Sequence, residues 1–174
     1  MLGVIEPSAR QAVSITKNRR IGVIGTEGTI KSAAYETTIH ALDPRVRVFS
    51  HACPLFVPLA EEGWTDGPVV QLTAQRYLTP LVEENVDTLV MGCTHYPILT
   101  SPIMGCLGPD VQLVNSAEET AKDVANILEE RNVARPRASG GTYRFYVTDN
   151  PERFRKVATH FLATRLTQVD EIGA

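Results

Sequence analysis

The stretch VDTLVMGCTHYPIL, residues 86–99, decides how this chain is read. Its first half, VDTLVM, is a short apolar run rich in branched residues, the pattern of a buried strand. Its second half sets Cys93, Thr94 and His95 just where that strand must end. A thiol and an imidazole at the lip of a sheet are poor choices for a closed core.

The segments around it alternate in type. LGVI, residues 2–5, reads as a short strand, and Pro7 then opens a helix. RIGVIG, residues 20–25, is a buried strand; the turn GTEGT follows it, then a helix over residues 30–42. RVRVFS, residues 45–50, alternates polar and apolar residues, as an edge or half-exposed strand does. PLFVPLAEEG predicts a short helix, and residues 68–85 a longer one that Pro80 kinks or restarts. QLVNS, residues 112–116, is a strand whose Asn115 or Ser116 caps the acidic helix AEETAKDVANILEERN. Residues 134–141 have a loop's composition. TYRFYVT is a strand, and the helix after it is capped by Asp149 or Asn150; the tail from Thr167 is expected to fray. Repeated strand-then-helix order implies parallel strands with helical crossovers, so the fold class is α/β with a parallel-sheet, three-layer architecture. In such sheets ligands sit outside the carboxyl ends of the strands.

Composition narrows the function classes. The 174 residues are 43% hydrophobic and 21% charged, with a formal net charge of -3. The 17 basic residues are scattered, which argues against nucleic acid or an anionic membrane as partner. No apolar run approaches a membrane span, and the first ten residues lack the basic-then-apolar order of a secretory signal. Three cysteines without framework spacing favour a reducing, cytoplasmic setting.

Three strand ends carry chemistry: Thr26 to Thr29 in GTEGT, His51 and Cys53 in HACP, and Cys93 to His95 in CTHYP. The glycine loop reads either as an anion cradle or as a tight turn with a capping threonine, and taken alone the turn is favoured. Cys93, at the start of a helix, is expected to have its pKa lowered by the helix dipole, and His95 to exchange protons with a bound substrate. The competing reading is a buried cysteine acting as a small hydrophobe. Cys93 and His95 match no zinc spacing, so no metal is expected. None of the four lysines sits in a pyridoxal phosphate loop, so no cofactor is expected either. Cys106 and Cys53 read as packing residues, and His40 and His160 as surface or boundary residues of helices.

GVIEPSA, IGVIGTEGTIKSAAY, ACPLFVPLAEEG and VDTLVMGCTHYPIL together, and in this order, resemble the glutamate racemases of the cofactor-independent aspartate/glutamate racemase superfamily. The resemblance runs from Gly3 to about Leu162. It implies inversion of the glutamate α-carbon by two cysteines on opposite faces, in service of peptidoglycan synthesis. It implies that Cys93 is the second of these thiols, His95 its acid/base helper and Glu61 an assisting acid. Thr94, Thr26 and Thr29 match substrate-contacting positions.

Family members open with a strand and DSG(x)GG, and carry NTA beside the first catalytic cysteine; neither motif occurs here. The expectation is therefore a complete α/β domain over residues 5–113 with the second cysteine, and over 114–174 the C-terminal portion of another, truncated α/β domain. Without the opposing thiol the chain is expected to be inactive alone and to associate with another chain, as a homo-oligomer. The alternatives are a non-catalytic fragment that binds an amino acid or a protein, and a carbon-acid or hydrolytic reaction at a single cysteine.

Overall fold

A computed structural model describes residues 2–135, 141–162, 166 and 168–173. The chain starts with α1 (Ile5–Ile15), β1 (Arg20–Gly25), α2 (Glu27–Lys31), α3 (Ala34–Leu42) and β2 (Arg47–Ala52). It continues with α4 (Phe56–Glu62), α5 (Pro68–Glu83), β3 (Thr88–Met91), a 3-10 turn (Tyr96–Leu99), α6 (Thr100–Leu107) and β4 (Gln112–Asn115). The described elements end with α7 (Ser116–Glu130), β5 (Phe145–Val147), α8 (Pro151–Leu162) and β6 (Val169–Glu171).

The main sheet is parallel throughout, in the order β2-β1-β3-β4. Its strands send alternate residues to two cores, as a period of two requires. Ile24, Leu89 and Met91 meet α4, α5 and α6 through Phe56, Leu78 and Ile103. Ile21, Val23, Val90 and Val114 meet α1 and α3 through Ala9, Ala12, Tyr35 and Ile39. Helices on both faces make the three-layer α/β architecture that the alternation of elements implied. A second, two-stranded parallel sheet pairs β5 with β6, and Ala158 of α8 packs with Leu166 and Val169 beside it.

Four local expectations change. Residues 2–5 form no strand: Leu2 and Val4 are exposed, and α1 begins at Ile5 with Pro7 in its first turn. The helix expected over 30–42 is two helices, because Ala33 takes a left-handed φ of 52° that turns Tyr35 and Ile39 into the core. Pro80 does not interrupt α5, whose buried stripe of Val70, Ala74, Leu78 and Leu81 holds the helix against the sheet despite the missing N–H. The tail does not fray at residues 169–171: Val169, 5% exposed, pairs with Phe145. Thr167 itself, and most of the loop expected over 134–141, lie outside the described residues.

The strand order reverses between β1 and β3. The chain leaves β1 for β2 on one side, then returns across the sheet to β3 on the other. This is the switch point at which a doubly wound sheet opens a crevice beyond its carboxyl ends.

Candidate active site

Beyond β1 comes Thr26 and beyond β3 comes Cys93, so both flank that switch point. Ile24 and Met91 are register partners, and the Gly92 amide donates to the Ile24 carbonyl at 2.8 Å. A Cβ on Gly92 would lie 2.9 Å from the Tyr35 ring and 3.0 Å from the Ile24 carbonyl oxygen. Glycine is thus the residue that lets β3 finish tight against β1 and deliver Cys93 at a fixed place.

The turn after Cys93 is closed by the Tyr96 amide donating to the Cys93 carbonyl. Tyr96 is fully buried, and its hydroxyl donates to the Cys53 carbonyl at 2.9 Å, tying the end of β3 to the end of β2. Cys93 itself is half-buried, neither sealed nor open. Its Sγ stands 3.9 Å from Nδ1 of His95. The other ring nitrogen, Nε2, stands 3.3 Å from Glu61 Oε1 near the C-terminal end of α4. Glu61 Oε2 accepts from the Arg153 guanidinium at 2.5 Å. A line of thiol, imidazole, carboxylate and guanidinium therefore runs from β3 to α8.

The polarity of this line follows from its members. A carboxylate only accepts hydrogen bonds. A neutral His95 ring beside Glu61 therefore carries its proton on Nε2 and turns the lone pair of Nδ1 toward sulfur. Glu61 is suited to this, since the Arg153 hydrogen bond holds its pKa below the usual carboxylate value against the opposing effect of burial, with the His95 ring contributing to the same lowering. The expected lowering of the Cys93 pKa is not found. Burial pushes the thiol up, and the amides of His95 and Tyr96 only partly offset it. The segment that follows is a 3-10 turn beginning at Tyr96, not the α-helix expected directly after Cys93. The thiolate therefore depends on a base to take its proton, and Nδ1 of His95 is in position for that.

Thr94, next to Cys93, is exposed. Thr26 caps α2: its hydroxyl oxygen accepts from the Thr29 amide at 3.3 Å and lies 3.0 Å from the Thr29 hydroxyl. The Thr29 methyl sits against Gly25, where a Cβ would be 2.9 Å from it. The capping reading of GTEGT is thus realised, and both hydroxyls remain at the carboxyl end of β1.

The other cysteines stand apart from this arrangement. Cys53 is 0% exposed, its pKa is pushed up to about 12 by burial, and its Sγ is 3.8 Å from the His51 carbonyl. Cys106 lines a different cleft of about 560 Å³ between α5 and α6, with Asp66, Gln75 and Ser101. His40 contacts the Val46 carbonyl at 3.1 Å, and His160 lies against Gly63. Among the described residues no group of three or more His, Cys, Asp and Glu is placed to hold a metal ion. No helix among them is long and apolar enough to cross a membrane.

The sequence reading did not include Arg153, or Phe161, whose ring meets the His95 imidazole edge to face at 5.6 Å. Arg153 is 92 residues from Glu61 along the chain, and nothing in its own neighbourhood marks it.

Residues 1–124 match the family described as Asp/Glu/Hydantoin racemase. A glutamate racemase of Geobacter metallireducens is 51% identical over 173 residues, which are 99% of this chain and 64% of that protein. One of Corynebacterium diphtheriae is 47% identical over 99% of this chain and 65% of its own length. Among solved structures, a glutamate racemase isoform of Bacillus anthracis superposes with a TM-score of 0.89 at 39% identity, over 99% of this chain and 64% of that one. The Francisella tularensis glutamate racemase, solved with D-glutamate, superposes with a TM-score of 0.87 at 37% identity, over 98% of this chain and 62% of that one. The chain thus spans less than two thirds of the length of these relatives.

Proposed function

The chain belongs to the Asp/Glu/Hydantoin racemase family, and from that premise we propose that it serves the interconversion of L- and D-glutamate, with Cys93 acting on one face of the α-carbon. The observation that carries this reading is the Cys93–His95–Glu61 line at the carboxyl end of β3. His95 accepts the thiol proton at Nδ1, while Glu61 stabilises the imidazolium through Nε2. The thiolate then removes the α-proton of L-glutamate, and the carbanion's charge spreads into the substrate carboxylate. Thr94, Thr26 and Thr29 offer hydroxyls at the adjoining strand ends, where donors aimed at developing charge act most strongly. Glutamate is the substrate favoured by the relatives, all of whose reported names specify it.

Inversion requires a second acid/base on the opposite face, within about 3–3.5 Å of the proton's path. Cys53, sealed in the core, and Cys106, in another cleft, are not placed for that role. We therefore assign the 174 residues one half of a two-base centre, inactive as a racemase alone. In this reading residues 5–113 carry the site, 114–174 belong to the other unit, and association with a second copy is its solution state. The setting is cytoplasmic, no cofactor takes part, and the D-glutamate formed goes to peptidoglycan.

A racemisation assay on the isolated chain tests this. The expected result is no D-glutamate from L-glutamate above the buffer rate. Robust turnover that disappears on Cys53→Ala would overturn the one-thiol assignment.

A further inference from the structure

We infer that Arg153 is a positioning residue for His95: α8 holds Glu61 in place so that the imidazole presents Nδ1 to Cys93. The argument begins with the face that α8 turns toward α4. Arg153, Val157, His160 and Phe161 recur at the spacing of one helical face. Arg153 binds Glu61 Oε2 at 2.5 Å, leaving Oε1 for the His95 ring at 3.3 Å. Phe161, two turns further on, abuts the same imidazole edge to face. His160 rests on Gly63, where a left-handed φ of 77° closes α4 and a Cβ would come within 2.9 Å of the ring. Two contacts of one helix thus converge on one acid/base pair, one through its carboxylate and one through its ring.

The two ring nitrogens are distinct, and the hydrogen bond made at one decides which of them carries the proton. Glu61 makes that distinction, and a glutamate side chain has several rotatable bonds with which to leave the ring. The second oxygen, anchored by Arg153, removes that freedom. The charged groups facing His95 are Glu61 from α4 and, behind it, Arg153 from α8; Cys93 faces it from its own loop. The nearby Lys156–Glu62 pair, at 3.5 Å, joins the same two helices without touching Glu61.

Positioning and plain electrostatics predict opposite results. If Arg153 acted only by its charge, its removal would free Glu61 to bind Nε2–H more strongly. If Arg153 positions Glu61, its removal lets the carboxylate wander and the ring loses its preferred tautomer.

The inference rests on Cys93 and His95 being the acid/base pair, but its test needs no glutamate chemistry, so the two ideas fail separately. The experiment is nitrogen-15 NMR of His95 at a pH where the ring is neutral. Alongside it, the rate of Cys93 carbamidomethylation by iodoacetamide is followed by mass spectrometry of the Cys93 peptide. Wild type is expected to hold the Nε2–H tautomer. Arg153→Gln is expected to populate both tautomers and to slow Cys93 alkylation about twofold, since Nδ1 then offers its lone pair in only part of the population. Lys156→Ala is expected to behave as wild type. The Arg153 side chain is 64% exposed, so its replacement leaves the core intact. Unchanged tautomer and rate in Arg153→Gln would overturn the inference, and so would a Lys156→Ala variant that reproduced the change.

Discussion

Replacing Phe56 with alanine lowers the free energy of unfolding by about 4 kcal/mol. Phe56 is fully buried at the start of α4. Its ring meets Tyr77 at 5.3 Å and 89°, and Tyr96 at 5.3 Å and 86°, both edge to face. Removing it deletes two aromatic contacts of about 1 kcal/mol each beyond simple burial and leaves a void beneath the helix. The void cannot close easily, because both flanking tyrosines are held by their hydroxyls. Tyr77 accepts from the Leu55 amide at 3.2 Å, and Tyr96 donates to the Cys53 carbonyl at 2.9 Å. Denaturant unfolding measures the loss. A change below about 1.5 kcal/mol would show that the site collapses freely, against the rigid floor described for Cys93.

Asp87→Ala is expected to cost about 3 kcal/mol at neutral pH. Asp87 precedes β3 and gathers the amino ends of the strands. Its carboxylate accepts from the Thr16 hydroxyl at 2.6 Å, the Lys17 amide at 2.7 Å, the Asn18 amide at 2.7 Å and the Thr88 hydroxyl at 2.9 Å. Alanine leaves those two amides and the fully buried Thr88 without their charged acceptor. Burial raises the Asp87 pKa, but the four hydrogen bonds outweigh it and the folded value is lowered. A carboxylate with a lowered folded pKa contributes stability above its unfolded pKa, about 3.9, and loses it as pH falls through the lower folded value. Unfolding free energies followed from neutral to acid pH should therefore fall less steeply in Asp87→Ala than in wild type. Parallel pH dependences would contradict this role.

The sheet was legible where one residue type does one job. VDTLVM and RIGVIG are apolar on both faces because helices cover both faces, and they became the two central strands. RVRVFS alternates because β2 lies at an edge. Asn115 was read as one of two caps, and its side chain does accept from the Ala117 amide at 3.0 Å. The failures lie where a neighbour distant in sequence decides. LGVI has strand composition, yet Leu2 and Val4 are exposed and Ile5 opens α1. Val169 has a partner, Phe145, that no local pattern announces. At the candidate site, the placing of Cys93 and His95 just beyond β3 was visible, because a strand's end can be read from its pattern. The sign of the shift at Cys93 was not, because burial of the thiol raises it, and that burial is set by neighbours the local pattern does not announce. Arg153 was invisible for a related reason: its role comes from where α8 docks.

The most direct test of the account is α-proton exchange of L-glutamate in deuterated water, catalysed by this chain. A thiolate on one face removes and returns hydrogen without inverting the carbon. The expected result is deuterium at the α-position of L-glutamate, with exchange lost in Cys93→Ala and retained in Cys53→Ala and Cys106→Ala. Exchange that survived Cys93→Ala, or no exchange by the folded wild-type chain, would contradict it.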